Sequence, residues 1–129
     1  MAKEHWRQKQ SLDKYFLESK AKGFRSRSAF KLQEIDQKLK LFSSNISILD
    51  LGSTPGGWSQ YISKKNHKKL NIIATDINVM TKINGVSFFQ GDFTEKSTQK
   101  MLINMNNNNR FNVILSDIVI LYLKERDCV

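Results

Sequence analysis

Cysteine, acidic residues and long apolar segments are all scarce in this sequence. Cys128 is the sole cysteine among 129 residues, so no internal disulfide can form, which is typical of a reducing compartment. The opening residues, MAKEHWRQKQ, lack the apolar segment that a secretory signal needs. The longest apolar stretch, residues 113–123, is interrupted by Ser116 and Asp117 and is too short to span a bilayer. We therefore expect a cytoplasmic protein that does not engage a membrane.

Acidic residues are much the scarcer charged class. The chain has 12 Asp and Glu against 21 Lys and Arg, for a net charge of +9. Residues 1–42 carry eleven basic and five acidic side chains, whereas residues 43–129 carry ten and seven. Because phosphates attract Lys and Arg over long range, this bias indicates a polyanionic partner. The alternative is a basic surface that is simply solvated.

The hydrophobic pattern predicts a single α/β domain. Leu32, Ile35 and Leu39 recur at helical spacing and predict a helix that starts near Ser28. Short β-branched runs then alternate with helical segments, which is typical of a parallel sheet built from βαβ units. The predicted strands are residues 46–51, 70–75, 86–89 and 111–115, and the later predicted helices are residues 58–65 and 95–105. The tract Asn106–Asn109 predicts a tolerated loop insertion.

A glycine-rich turn follows the first predicted strand, in the sequence DLGSTPGGW at residues 50–58. Glycines such as Gly52 allow the backbone to approach a ligand closely, and the helix that follows offers free N–H groups. Thr54 stands where a dinucleotide-binding motif has its second glycine, so a pyrophosphate would be crowded. The turn favours a nucleoside ligand without a pyrophosphate, such as S-adenosylmethionine (SAM).

Two aspartates end the next two strands. Asp76 lies 24 residues after Gly52, a spacing at which a carboxylate accepts hydrogen bonds from ribose hydroxyls. Asp92 ends the third strand and is placed to accept a hydrogen bond from an adenine amino group. Taken singly, each aspartate is better explained as a turn residue at a strand end. Their order on successive strands favours a cofactor site at the carboxyl edge of the sheet.

Four segments together resemble the FtsJ/RrmJ family of ribosomal RNA 2′-O-methyltransferases, which act on a uridine of the large-subunit RNA. These segments are GFRSRSAFKL at 23–32, DLGSTPGGWSQY at 50–61, QGDF at 90–93 and LSD at 115–117. The resemblance extends from about Asp13 to Asp117. It implies SAM as the cofactor and a Rossmann-like class I methyltransferase fold, of which about the first four strands are present.

The resemblance also implies roles for individual residues. The implied cofactor-binding positions are Gly56, Trp58, Asp76, Asp92 and Asp117. Lys31 matches the first lysine of the family's Lys-Asp-Lys-Glu catalytic set, and Asp117 matches its aspartate. A ribose hydroxyl is a poor nucleophile that must be deprotonated or oriented, and a lysine can serve as that base. Without the resemblance, Lys31 is read as a solvated lysine on a helix.

We expect residues 1–25 to form a basic arm with some helix around residues 13–20, and residues 26–117 to form the methyltransferase domain. The arm and its junction with the domain predict RNA binding through Lys20, Lys22, Arg25 and Arg27. The expected partner is ribosomal RNA or the large ribosomal subunit, not DNA. We expect a monomer without a metal site.

After Asp117 the sequence departs from the family pattern. The family continues with a Met-Ala-Pro-Asn type loop and three further strands, whereas residues 118–129 read IVILYLKERDCV. The second catalytic lysine and the glutamate have no counterpart, because Lys124 and Glu125 stand in an unmatched context. We expect a frameshifted or incomplete gene. The alternatives to a methyltransferase are a non-catalytic RNA- or nucleotide-binding module and a nonfunctional remnant.

Overall fold

The computed structural model describes residues 23–117. The segment up to residue 22, with the helix predicted around residues 13–20 and with Lys20 and Lys22, lies outside the described residues. The segment from residue 118 onward lies outside them too. Within residues 23–117, no helix is long and apolar enough to cross a membrane.

Four parallel strands form one sheet in the order β3-β2-β1-β4, which confirms the predicted α/β class. The strands are β1 (Ser47–Leu51), β2 (Asn71–Asp76), β3 (Val86–Gln90) and β4 (Val113–Ser116). Their sequences are rich in Ile, Val and Phe, which pack well on a pleated, buried surface. Each observed strand lies within two residues of its predicted bounds.

Helices cover both faces of the sheet. They are α1 (Ser28–Leu39), α2 (Gly57–Ser63) and α3 (Lys96–Met105), with a 3-10 turn at Asn66–Lys68. Successive strand residues point to opposite faces, so Ile48 packs against α1 and α2 whereas Leu49 packs against α3. The cluster on the first face contains Leu32, Phe42, Ile48, Trp58, Ile62 and Ile72. The cluster on the second face contains Leu49, Ile73 and Leu102.

The alternation of strands and helices is interrupted between β2 and β3, where the sequence also predicted no helix. Their connection, residues 77–85, contains no helix and is called here the β2–β3 loop. It is shorter than the dozen or so residues that a helical crossover usually needs. Met80 and Ile83 are buried against Ala74, so the loop uses its own apolar side chains to cover the sheet.

Leu39, predicted on an apolar helix face, is exposed instead, and so is Met101 of the last helix. Leu39 is 66% exposed because α1 ends there and Lys40 turns into the left-handed region with φ 49°. Asp36 is buried one turn earlier, where it accepts hydrogen bonds from the Tyr61 hydroxyl at 2.7 Å and from Lys65 Nζ at 2.9 Å. On α3, Met101 is 41% exposed, and Leu102 supplies the buried contact.

The asparagine tract after α3 is a loop, as predicted, but its first residue is part of the fold. Asn106 is 4% exposed. Its Nδ2 donates to the carbonyl oxygen of Asn109 at 2.9 Å and to Ser47 Oγ at 3.1 Å, and its Oδ1 accepts from Asn71 Nδ2 at 2.9 Å. These bonds join the loop to the starts of β1 and β2. The tract is therefore not a passive insertion at Asn106.

We predict that Asn106→Ala lowers the free energy of unfolding by about 1–3 kcal/mol, because it removes a buried amide that makes hydrogen bonds with Ser47, Asn71 and Asn109. Urea denaturation followed by circular dichroism measures the change. The matched control is Asn104→Ala, at an exposed position on α3, which should change stability by less than about 0.5 kcal/mol. Equal effects of the two substitutions would show that this network contributes nothing specific.

Candidate active site

A cavity of about 200 Å³ lies at the carboxyl ends of β1 and β4. Its walls come from the segment before α1, the end of β1, the turn into α2 and the residue after β4. The lining residues are Ser26, Ser28, Asp50, Gly52, Ser53, Thr54, Pro55, Gly57, Trp58 and Asp117. The cavity thus lies at the carboxyl edge of the sheet, where open α/β folds bind ligands.

The glycine loop, residues 52–57, forms one wall of this cavity. Its first residue is tied to the sheet, since the Gly52 and Ser53 amides both donate to the Thr75 carbonyl oxygen, at 2.9 and 3.1 Å. Gly56 has φ 113°, a conformation that other L-residues rarely adopt. A Cβ on Gly57 would overlap Ser26 Oγ. Two glycines are therefore required here by backbone conformation and by close approach.

Asp50 is the most buried acid of the cavity wall, with 2% of its surface exposed. Burial raises the pKa of Asp50 to about 6, a hydrogen bond from Ser59 Oγ at 2.7 Å partly opposes this, and the charges of Asp76 and Asp117 add to it. Asp50 and Ser59 were not among the site residues predicted from the sequence. An acidic residue at a strand end, nine positions before a serine, was the available signal.

Asp76 lies beside the glycine loop. Its Oδ2 accepts a hydrogen bond from the Thr54 amide at 3.0 Å, and its Oδ1 accepts one from the Asn78 amide at 2.8 Å. Each carboxylate oxygen can accept a further bond, so a hydroxyl can still be bound. Asp76 stands behind the loop and is not among the residues that line the cavity.

Asp92 closes a turn after β3. Its Oδ1 accepts hydrogen bonds from the Thr94 hydroxyl at 2.7 Å and from the Thr94 amide at 2.9 Å. These bonds hold the pKa of Asp92 below its usual value. Asp92 therefore has the geometry of a turn residue, which was the alternative to a cofactor contact. Its adenine-binding role stays a prediction.

Lys31 and Asp117 meet at the rim of the cavity. Lys31 Nζ lies 3.0 Å from Asp117 Oδ1, although the two residues are 86 positions apart in the sequence. About half of each side chain is exposed, so the pair faces solvent on one side. The two residues that the resemblance assigned to catalysis are therefore in direct contact.

Trp58 joins the cavity to the core. Its indole N–H donates to the Ser28 carbonyl oxygen at 2.8 Å, and its ring packs among Leu32, Ile48 and Ile62. The indole therefore fixes the start of α1 over the start of α2. It also lines the cavity, so a cofactor contact stays a prediction beside this structural role.

The two described arginines of the predicted RNA-binding set differ in their surroundings. Arg27 is exposed at the start of α1. Arg25 is partly buried, and its guanidinium donates to the carbonyl oxygens of Pro55, Thr81 and Lys82 at 3.2, 2.6 and 2.8 Å. No pattern in the sequence indicates these intramolecular bonds. Binding of RNA phosphates by either arginine stays a prediction.

Within residues 23–117, no group of three or more His, Cys, Asp or Glu side chains could hold a metal ion.

Comparison with known proteins identifies the family. The profile of the FtsJ-like methyltransferases matches residues 24–127. The chain belongs to the FtsJ-like methyltransferase family. The matched range includes the glycine loop, the Lys31–Asp117 pair and most of the segment after Asp117.

Two similar proteins place the chain within this methyltransferase family. It is 49% identical over 113 residues to the ribosomal RNA large subunit methyltransferase E of Buchnera aphidicola subsp. Schizaphis graminum, covering 88% of this chain and 55% of that protein. It also matches a crystal structure of a ribosomal RNA methyltransferase from Plasmodium falciparum, with a TM-score of 0.67 and 33% identity over 73% of this chain and 56% of that one. The chain spans about half the length of these relatives.

The buried carboxyl group of Asp50 predicts a pH dependence of stability. Its pKa is about 6 in the folded protein against 3.8 ordinarily, so the folded state holds the proton more tightly than the unfolded state does. The unfolding free energy of the unmodified protein, measured relative to that of Asp50→Asn, should fall by about 3 kcal/mol as the pH rises from about 4 to 6. Above pH 6 the difference should stay constant. Urea denaturation of both proteins between pH 4 and pH 8 measures this difference.

Ser59→Ala provides the control for the assignment. It removes the hydroxyl that stabilises the ionised Asp50, so the falling region should extend above pH 6. A difference that is level between pH 4 and pH 6 would contradict the raised pKa.

Proposed function

We propose that this chain binds SAM and carries part of the catalytic site of a 2′-O-methyltransferase that acts on a uridine of large-subunit ribosomal RNA. The observation that carries the proposal is the contact between Lys31 Nζ and Asp117 Oδ1, at 3.0 Å, on the rim of a cavity walled by the glycine loop. We further propose that the protein works as a cytoplasmic monomer with ribosomal RNA or the large ribosomal subunit as its partner.

The cavity has the features that SAM requires. Gly52 lines the cavity with backbone alone, at φ 69°, which suits close approach by the cofactor. The carboxylates of Asp50, Asp76 and Asp117 lie at neighbouring strand ends, and their negative charge favours a ligand with ammonium and sulfonium groups. These residues would hold SAM, with Gly52, Trp58 and Asp92 as further predicted contacts. When bound, SAM supplies a methyl group activated by the sulfonium.

Lys31 and Asp117 would act on the ribose hydroxyl. Asp117 holds the Lys31 ammonium by an ion pair, which fixes the direction of a long and otherwise mobile side chain. Lys31 Nζ keeps two further N–H donors, and one of them can donate to the 2′-oxygen and orient it. Holding the hydroxyl in one orientation accounts for a large part of the rate in group transfer.

A second function is a non-catalytic module that binds RNA or a nucleotide. The cofactor cavity and the net charge of +9 support this module as well as they support a methyltransferase. Both functions include cofactor binding, but only the first includes methyl transfer. SAM binding and methyl transfer must therefore be measured separately.

We predict that the chain binds SAM and that Asp76→Ala weakens this binding at least tenfold, because the substitution removes a carboxylate with charge-assisted hydrogen bonds to the glycine loop. Isothermal titration calorimetry measures both affinities. Glu95→Ala, which removes an exposed carboxylate at the start of α3, is the matched control and should bind as tightly as the unmodified chain. Equal affinity in Asp76→Ala would remove Asp76 from the site.

We predict that the chain transfers labelled methyl groups from SAM to unmodified large-subunit RNA, and that Lys31→Met lowers the rate at least a hundredfold, since it removes the group that orients the hydroxyl. Alkali-resistant dinucleotides identify the 2′-O product. Lys38→Met, at an exposed lysine on the same helix, should keep the full rate. SAM binding without any transfer by the unmodified chain would overturn the catalytic proposal and support the non-catalytic module.

A further inference from the structure

The Arg25 side chain donates three hydrogen bonds to backbone carbonyl oxygens of two loops. Nη1 donates to the carbonyl oxygens of Thr81 at 2.6 Å and Pro55 at 3.2 Å, and Nη2 donates to that of Lys82 at 2.8 Å. Pro55 belongs to the glycine loop, and Thr81 and Lys82 belong to the β2–β3 loop. One guanidinium thus bridges two loops that are more than twenty residues apart in the sequence.

The backbone around Arg25 is itself held in place. The Arg25 amide donates to Gln60 Oε1 at 2.7 Å, and Gln60 Nε2 donates to the Gly23 carbonyl oxygen at 2.6 Å. Gln60 lies on α2, which packs on the sheet. Hydrogen bonds therefore fix both the backbone and the guanidinium of Arg25.

The two bridged loops pack against each other around Gly56. An added Cβ at Gly56 would lie 3.0 Å from Ile83 Cδ1, 3.1 Å from Met80 Sδ and 3.3 Å from Arg25 Cδ. Thr54 Oγ1 also donates to the Asn78 carbonyl oxygen at 3.2 Å. The β2–β3 loop and Arg25 thus support the glycine loop without themselves lining the cavity.

We propose that Arg25 is a positioning residue of the cofactor site, which fixes the glycine loop and the β2–β3 loop in one relative arrangement. The inference rests on the proposed function in one respect, that the cavity binds SAM. A guanidinium suits this task because its planar fork offers five N–H donors in fixed directions. A lysine ammonium at the same place is a single point of donation and cannot satisfy carbonyls on two loops with the same geometry.

Loss of the bridge has a definite expected cost. Without it, the helix-free β2–β3 loop has fewer contacts, and binding of SAM must order both loops. Ordering segments on binding reduces affinity without removing any direct contact to the ligand. We expect SAM affinity to fall about tenfold in both Arg25→Ala and Arg25→Lys. This factor corresponds to the free energy of the one or two hydrogen bonds that would no longer hold the loops in order.

The experiment measures SAM affinity and backbone protection in the full chain. Calorimetry gives the affinity of Arg25→Ala, Arg25→Lys and the unmodified chain. Hydrogen exchange without ligand gives the protection of peptides covering residues 52–57 and 77–85. We expect faster exchange in both peptides for both Arg25 variants, together with the tenfold loss of affinity.

Two controls separate this role from general effects. Arg110→Ala removes an exposed arginine near the opposite end of the sheet and should change neither measurement, which controls for net charge. Asn106→Ala lowers stability at that same end and should leave SAM affinity unchanged, which controls for stability.

The outcomes are distinguishable. Full affinity and unchanged exchange in Arg25→Ala would overturn the inference, and so would full restoration of both by Arg25→Lys, because charge alone would then suffice. An equal loss of affinity in Asn106→Ala would reduce Arg25 to a general stability effect and would also overturn it. If the unmodified chain does not bind SAM, the proposed function fails, and the exchange comparison alone decides whether Arg25 holds the two loops.

Discussion

The position of β1 between β2 and β4 determines where every part of the cavity lies. Parallel pairing sets Asp50 opposite Ala74 on one side and Leu115 on the other, and sets Leu51 opposite Thr75 and Ser116. All three strands therefore end at one level. The residues that follow Leu51, Thr75 and Ser116 lie close together at the carboxyl edge of the sheet. The glycine loop, Asp76 and Asp117 are neighbours because of this register. A shift by one residue would turn Asp50 to the opposite face.

Two buried aspartates show how their partners set the local electrostatics. Burial tends to raise the pKa of both. For Asp36, hydrogen bonds from Lys65 and Tyr61 outweigh burial and hold the pKa below its usual value. For Asp50, one hydroxyl donor does not outweigh burial, and the nearby acids add to the rise. The charge of Asp36 on α1 is thus neutralised by Lys65. The cavity instead keeps an excess of negative charge, which favours a cationic ligand.

The strands and the glycine turn could be predicted because their signals are local: β-branched runs, glycines and acids at strand ends. The contact of Lys31 with Asp117 could be anticipated only through the family resemblance, since no local pattern links positions 86 apart. The role of Arg25 could not be predicted at all. Its acceptors are backbone carbonyls, which every residue has, and its bonds depend on how two loops pack. The burial of Asp36 was hidden for a similar reason, because its partners lie on α2 or beyond.

The two halves of the proposed site rest on unequal support. Asp50, Asp76 and the glycine loop are held by β1 and β2, which have a neighbour on each side in the described sheet and helices over both faces. Asp117 follows β4, which pairs with β1 alone among the described strands and leaves Ile114 about half exposed. The ion pair with Lys31 is therefore one of few contacts that orient Asp117. Cofactor binding should accordingly withstand destabilisation better than methyl transfer, because transfer depends on the geometry of this less supported strand end.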